Sequence, residues 1–190
     1  VIVKDAGEIE INGQSVDIRS PRDAKRAGVA TVQQHPELVM NLDGYQNIFL
    51  GQESPRGGLL GRVHHADLKR RGDALLARFP MDIDLSRPVG SLSVVEREII
   101  AVLQALSHAD IRVLILDEPT STLTEVEKRV VFRMMSTLRA SGMAIIYITH
   151  RLEEVMEIAD RFTVFRGGCK ITTMAPGDVT DKGRSLAEIM

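Results

Sequence analysis

Asp117 and Glu118 are adjacent carboxylates at the end of the apolar run "RVLIL" (112–116). A run of that kind reads as a strand covered on both faces of a parallel sheet. Ligand sites in open α/β sheets lie outside the carboxyl ends of the strands, so these acids stand where a ligand would be met. One carboxylate held there can organise Mg²⁺, partly through water, because this ion sheds its hydration shell reluctantly. Its neighbour faces elsewhere and can orient or deprotonate a water that attacks a phosphoryl group. An acidic strand exit before Pro119 would share the local sequence. The apolar strand on one side and "TSTLT" (120–124) on the other favour the chemistry.

Three more residues join this pair by position. His150 closes a second apolar run, "MAIIYITH" (143–150), and a histidine at the carboxyl edge of a neighbouring strand can donate to a terminal phosphate. Gln34 closes a third, "VATVQQ" (29–34), where an amide can touch both a metal and an attacking water. Ser93 and Glu96 satisfy S-x-x-E, which is a capping box with a full structural explanation. A helix N-terminus with a serine hydroxyl is equally an anion site. Spacing alone does not choose between the two. His64, His65 and Asp67 form a loop cluster without a second group to complete a metal site, and Lys69, Arg70 and Arg71 read as a solvated helix face.

The elements that position these residues follow from local pattern. "GEIEINGQSVDI" (7–18) alternates around Asn12-Gly13, a type I′ hairpin signal. Ser20-Pro21 opens a short helix and Gly28 closes it. Asp43 and Gln46 can cap a helix that Gly51 ends. Residues 54–62 read as a loop and 65–79 as an amphipathic helix. Ser93 opens a helix whose Val95, Ile99, Val102, Leu103 and Leu106 share a face. Thr124 and Glu127 cap another running to about Arg139, with Met134 and Met135 facing the core, and Gly142 ends it. Both "VATVQQ" and "MAIIYITH" read as short buried strands. A short helix after His150 and a hairpin turning at Gly167-Gly168 complete the chain. The result is a parallel-sheet α/β core interrupted by a helical insertion.

Composition narrows the field. With 26 acidic against 24 Lys and Arg residues, the net charge of −2 provides no broad basic footprint for nucleic acid. The single cysteine, Cys169, excludes an internal disulfide. No apolar run approaches the roughly 20 residues that span a bilayer. The chain opens with Val1 inside an apolar segment, as a fragment would.

Taken in order, "TVQQ" (31–34), "LSVVE" (92–96), "LILDEP" (114–119), "STLT" (121–124) and "YITHR" (147–151) resemble the Q-loop, signature, Walker B, D-loop and switch-histidine segments of the nucleotide-binding domain of ABC transporters. "NLDGYQNIFLG" (41–51), "DEPTSTLTEVE" (117–127) and "ITHRLEEVMEIADRFTVFRGG" (148–168) are similar to the first such domain in the ATP-binding subunits of ribose-, galactose- and xylose-type importers. The resemblance implies an α/β P-loop NTPase (ABC ATPase) core with an inserted helical subdomain. It divides the chain into 1–34 (N-terminal β-region and Q-loop strand), 35–106 (helical, signature-bearing) and 107–190 (α/β core).

The resemblance also implies ATP and Mg as cofactors, with Asp117 and Gln34 at the metal and Glu118 as catalytic base. His150 would be the switch residue, and Ser93 would face the γ-phosphate of ATP held by an opposite domain. The implied partners are membrane permease subunits met through the helical subdomain, a second nucleotide-binding domain and, indirectly, a periplasmic sugar-binding protein. Nucleic acid is not among them. The implied place is the cytoplasmic face of the membrane, bound peripherally. Non-transporter ABC ATPases of DNA repair or translation are the alternative, but the short, mixed-charge segment 35–106 favours a permease. A catalytically inactive remnant is the third reading.

Two departures stand out. The sequence contains no G-x-x-x-x-G-K-[ST] and no Gly-Lys dipeptide, so the expectation is a fragment lacking the Walker A region, with the N-terminal part of the core missing and no activity in isolation. Within the signature, Val95 stands where the family has glycine and Glu96 where it has glutamine. The added bulk hinders backbone approach to a phosphate, and the extra charge opposes an anion by roughly 0.3–1 kcal/mol.

Overall fold

A computed structural model describes residues 4–52, 65–108 and 110–181. The loop expected over 54–62 and His64 lie outside the described residues. The chain divides into two compact units, Val1–Ile148 and Thr149–Met190.

In the first unit, β1 (Glu10–Ile11) and β2 (Gln14–Ser15) pair antiparallel with Ile11 opposite Gln14. Asn12 and Gly13 both take positive φ, 54° and 72°, as a type I′ turn demands. Ser20 caps α1 (Pro21–Arg26) by accepting from the Asp23 N–H, and Gly28 follows at φ 79°. No other residue fits there, because an added Cβ would lie 2.6 Å from the Asp110 carbonyl oxygen. The chain then forms β3 (Val29–Val32), α2 (Gly44–Ile48), α3 (His65–Leu76) and a single 3-10 turn at Val89–Ser91. It continues through α4 (Val94–Leu106), β4 (Val113–Asp117), α5 (Glu125–Ala140) and β5 (Ala144–Ile148). The three long strands make a parallel sheet in the order β3-β4-β5, with Val32 opposite Leu116 and Leu116 opposite Tyr147.

The core sits around β4. Leu114 and Leu116 are fully buried, along with Ile99, Ile100, Leu103 and Leu106 of α4 and Val131, Met134 and Leu138 of α5. α4 buries more than the one face its spacing predicts, because Glu98 to Leu103 are all buried, while Val95 is only half-buried. The outer strands differ from expectation. β3 buries only Val32, and β5 is exposed at Ile146 and Ile148, by 50% and 47%. Both also end two residues earlier than the sequence suggests. An apolar composition permits burial on two faces, but among the described strands only β4 has a neighbour on each side.

Between β3 and α4, buried Asn47 organises the chain. Its Nδ2 donates to the carbonyls of Val39 (3.0 Å), Leu42 (3.3 Å) and Asp43 (3.0 Å), and its Oδ1 accepts from the Val39 N–H (2.8 Å). α3 is held to α2 by Tyr45, whose hydroxyl donates to Asp73 (2.7 Å) and accepts from Lys69 (3.1 Å). Gly72 allows the approach, since a Cβ there would meet the Tyr45 ring at 2.6 Å. The Arg71 guanidinium lies 4.1 Å over the Phe49 ring. Of the three basic residues expected on a solvated face, Lys69 and Arg70 are exposed, the latter paired with Asp67 at 2.6 Å, and only Arg71 is half-buried.

The second unit contains α6 (Leu152–Ile158), the hairpin of β6 (Phe162–Arg166) and β7 (Cys169–Met174), and α7 (Gly177–Asp181). The hairpin turns at Gly167 and Gly168, both at positive φ, and carries a register shift between Val164 and Phe165. Among the described residues no helix is long and apolar enough to cross a membrane.

Two predictions follow from this packing. Asn47→Ala leaves the Val39 N–H without its buried partner and takes the side-chain donor from three carbonyls that keep a backbone one, so urea denaturation should show a loss of roughly 1–3 kcal/mol. A loss below about 1 kcal/mol would mean that water replaces the amide. The second concerns Glu98 of α4, which is 8% exposed and whose Oε1 has no hydrogen-bond partner. Burial pushes its carboxyl up from 4.5 to about 7. The folded state therefore binds the extra proton between these values, and stability falls as pH rises through that window, by about 3 kcal/mol in all. Glu98→Gln should remove this part of the pH dependence. An equal fall in the variant would place the titrating group elsewhere.

Candidate functional site

The register of the sheet assembles the site. Val32 opposite Leu116 is the last pair of the β3–β4 ladder, and just beyond the two strand ends Gln34 meets Glu118. The Gln34 Nε2 donates to Glu118 Oε2 at 3.1 Å. An ionised carboxylate only accepts, so the amide must present its NH₂ to it. Asp117, half-buried, is the last residue of β4 and pairs with Ile148.

Glu118 leaves the strand in an unusual conformation. Its φ is 47°, a left-handed value that costs a non-glycine residue about 1–2 kcal/mol. Two backbone hydrogen bonds hold it there: its N–H donates to the Ile148 carbonyl (2.9 Å), and its carbonyl accepts from the Ser121 N–H (3.2 Å). Below the turn, Thr120 is 1% exposed and its hydroxyl lies 2.8 Å from the Tyr147 hydroxyl. The Tyr147 ring meets Phe132 edge-on at 6.3 Å. The strand exit is thus braced from β5 and α5. Thr120 and Tyr147 escaped sequence reasoning, although a tyrosine in an otherwise aliphatic strand was the visible signal.

Ser93 serves α4 as its cap. Its N–H and its hydroxyl both donate to Glu96 Oε2, each at 2.7 Å, and its hydroxyl oxygen accepts from the Glu96 N–H at 3.4 Å. Val94 beside it is 48% exposed. His150 belongs to the second unit. There Thr149 accepts from the Arg151 N–H (3.0 Å) and donates to Glu154 (3.1 Å), which fixes the chain on either side of it. The structure therefore brings Gln34, Asp117 and Glu118 together at the sheet edge. Ser93 stands on its own helix end and His150 in its own unit.

The donor set at the sheet edge is hard oxygen: two carboxylates and an amide. Among the described residues no three of His, Cys, Asp and Glu cluster as an all-protein cage. This suits Mg²⁺, which takes one or two carboxylates and completes its shell with water and phosphate oxygens.

The family model for "ABC transporter" matches residues 2–121, well over half of the chain. The chain is 41% identical over 179 residues to the "Ribose import ATP-binding protein RbsA" of Hahella chejuensis, covering 94% of this chain and 35% of that protein. It is 40% identical over 176 residues to the protein of the same name from Rhodopirellula baltica, covering 93% and 34%. The chain thus spans about a third of the length of these relatives. Among solved structures it is similar to MJ1267, an ATP-binding cassette of an ABC transporter, in its ADP conformation. That match has a TM-score of 0.81 at 18% identity, over 99% of this chain and 78% of the other.

These matches overturn the expectation of a Walker A-lacking fragment with the N-terminal part of its core missing. Solved cassettes align with 94–99% of this chain at TM-scores of 0.74–0.81. The strands and helices described above reproduce the cassette's arrangement along nearly the whole sequence. The fold is therefore the α/β ABC-ATPase core with its helical subdomain, and a function framed around a remnant falls with the fragment reading. With the family's model running from the N-terminal hairpin to the exit of β4, the chain belongs to the ABC transporter family.

Proposed function

We propose that this chain binds and hydrolyses ATP within a subunit that energises carbohydrate import through an ABC permease. The observation that carries the reading is the Gln34–Glu118 hydrogen bond at the carboxyl edge of a parallel sheet. It joins an amide at the start of segment 35–106 to a carboxylate at the end of β4. A change at the nucleotide can thereby reach the part of the chain that would meet a permease. The sugar-import assignment is supported by relatives named for ribose import.

In this reading Asp117 and the Gln34 amide oxygen hold Mg²⁺, whose charge would offset that of the ATP phosphates when bound. Glu118 accepts a proton from, or orients, the attacking water. Its left-handed backbone and the Gln34 contact hold the carboxylate in place before substrate arrives. His150 would donate to the terminal phosphate. Ser93 would face nucleotide held by a second nucleotide-binding domain, with 1–34, 35–106 and 107–190 as the three structural parts. The subunit would then sit on the cytoplasmic face of the membrane against its permease, with a periplasmic sugar-binding protein as indirect partner.

The reading is tested on the full subunit reconstituted with its permease. Glu118→Gln is expected to lower ATP turnover by ~10²-fold or more while ATP still binds. Unchanged turnover would exclude Glu118 as the base, and with it this assignment of the site. Ser93 admits a finer comparison. Ser93→Ala removes the cap, at about 1 kcal/mol, while Ser93→Asn keeps one. Sugar uptake lowered equally in both variants assigns the hydroxyl a role at nucleotide, and uptake restored by Asn leaves it only the cap.

A further inference from the structure

A cavity of about 320 Å³ opens at the opposite edge of the sheet, where β4 and β5 begin. Its volume lies in the range of small-ligand sites. Arg78, His108, Asp110 and Arg112 line it, together with Ser141–Met143 at the end of α5. Arg112 is held from both sides. Its N–H donates to the Gly28 carbonyl (2.7 Å), and its own carbonyl accepts from the Ala144 N–H (3.0 Å). Its side-chain stem passes against Gly28, with Cγ 3.1 Å from where a Cβ there would lie. Arg78 reaches the cavity from the turn after α3, its guanidinium 5.9 Å from the Phe79 ring.

A surface arginine without a partner is ordinary. Two that line one concavity and make no ion pair with any described residue are less so. His108 lines the cavity as well, its imidazole held below the usual range first by burial and then by the charge of Lys25, which favours the uncharged ring. The arginine pair favours an anion, and guanidinium groups match phosphate oxygens in geometry and charge.

The same cavity also carries acceptors. Asp110 sits at a left-handed φ of 62° and presents a carboxylate. The carbonyls that end α5 are already taken, since those of Thr137, Leu138 and Arg139 accept from the N–H groups of Ser141, Met143 and Gly142, so the Asp110 carboxylate is the acceptor that remains. A bare anion would be opposed by it. A ligand with hydroxyl groups beside its phosphate would satisfy it.

We propose that this cavity binds a small phosphorylated sugar, with its phosphate on Arg78 and Arg112 and its hydroxyls on Asp110. The ligand would tie segment 35–106, through Arg78, to the start of β4. The site is remote from the Gln34–Glu118 edge, and its occupancy does not depend on the import reading.

The test is calorimetric titration of this chain, without nucleotide, by ribose 5-phosphate, inorganic phosphate and ribose in turn. Saturable binding of ribose 5-phosphate is expected, with weaker binding of inorganic phosphate and none of ribose. Arg78→Gln and Arg112→Gln should each weaken it by about 10-fold or more, the loss of one charge-assisted hydrogen bond. Circular dichroism verifies folding, and if Arg112→Gln does not fold, Arg78→Gln decides alone. Absence of saturable binding, equal affinity for inorganic phosphate or ribose, or an unchanged affinity in the folded variants would overturn the proposal. ATP turnover is not read, so the result stands apart from the assignment of the other site.

Discussion

The parallel hydrogen-bond register that aligns Val32, Leu116 and Tyr147 is the constraint on which the site depends. Gln34 and Glu118 are 84 residues apart in sequence, and no local preference brings them to 3.1 Å. The parallel register brings the ends of β3 and β4 level, and the turn at Glu118 then sets its carboxylate beside Gln34. A slip of one residue would exchange buried Leu114 and Leu116 for their half-buried neighbours and part the amide from the carboxylate. The hydrophobic demand of the core thus also sets the polar contact at the edge. Packing and site geometry share one cause.

The exit of β4 shows how a strained residue is retained. Glu118 has left-handed backbone, at about 1–2 kcal/mol. Its two backbone hydrogen bonds contribute about 1 kcal/mol each, so the conformation is close to neutral once β5 and Ser121 are in place. Thr120 then closes the exit from below through the Tyr147 hydroxyl. The carboxylate at 118 leaves the alternation of β4 because its backbone turns, and the turn persists because β5 completes it. The site is therefore a property of two strands and their packing helix, and the acidic pair alone does not make it.

Legibility in the sequence divides along the same line. Features decided within four residues were readable: the capping boxes at Asp43, Ser93 and Thr124, the Asn12-Gly13 turn and the Gly28 stop are all present. Features that need a partner far along the chain were not. Apolar β3 and β5 looked buried, yet they are the outer strands of the described sheet. Asn47 reads as a polar residue in a short helix, and only the fold reveals the four bonds it makes. Glu98 follows Val95 by one turn on an apolar helix face, which was visible, but its lack of a partner was not. The bond from the Gln34 Nε2 to the Glu118 carboxylate depends on strand register and was not readable either. Reading a fragment into the absence of a Gly-Lys dipeptide took one missing motif as evidence about the whole fold, and the fold does not bear it out.

Ser93 is where local and distant demands compete for one residue. Its hydroxyl proton and its backbone N–H both go to Glu96, so the carboxylate already occupies the anion position at the end of α4. A phosphate arriving there must displace it. That means giving up two charge-assisted bonds and the favourable placement of an acid at a helix N-terminus. A glutamine at position 96 would retain the reciprocal cap without the charge, so the exchange would be easier. With Glu96 the helix is better closed and the anion site harder to open. Only a ligand with more negative charge than one carboxylate, held by donors beyond this helix, gains from the exchange. A nucleotide triphosphate anchored on a facing domain meets both conditions, whereas a free monoanion in solution meets neither. In the proposed reading, the cap at Ser93 would therefore act as a threshold on what α4 could bind.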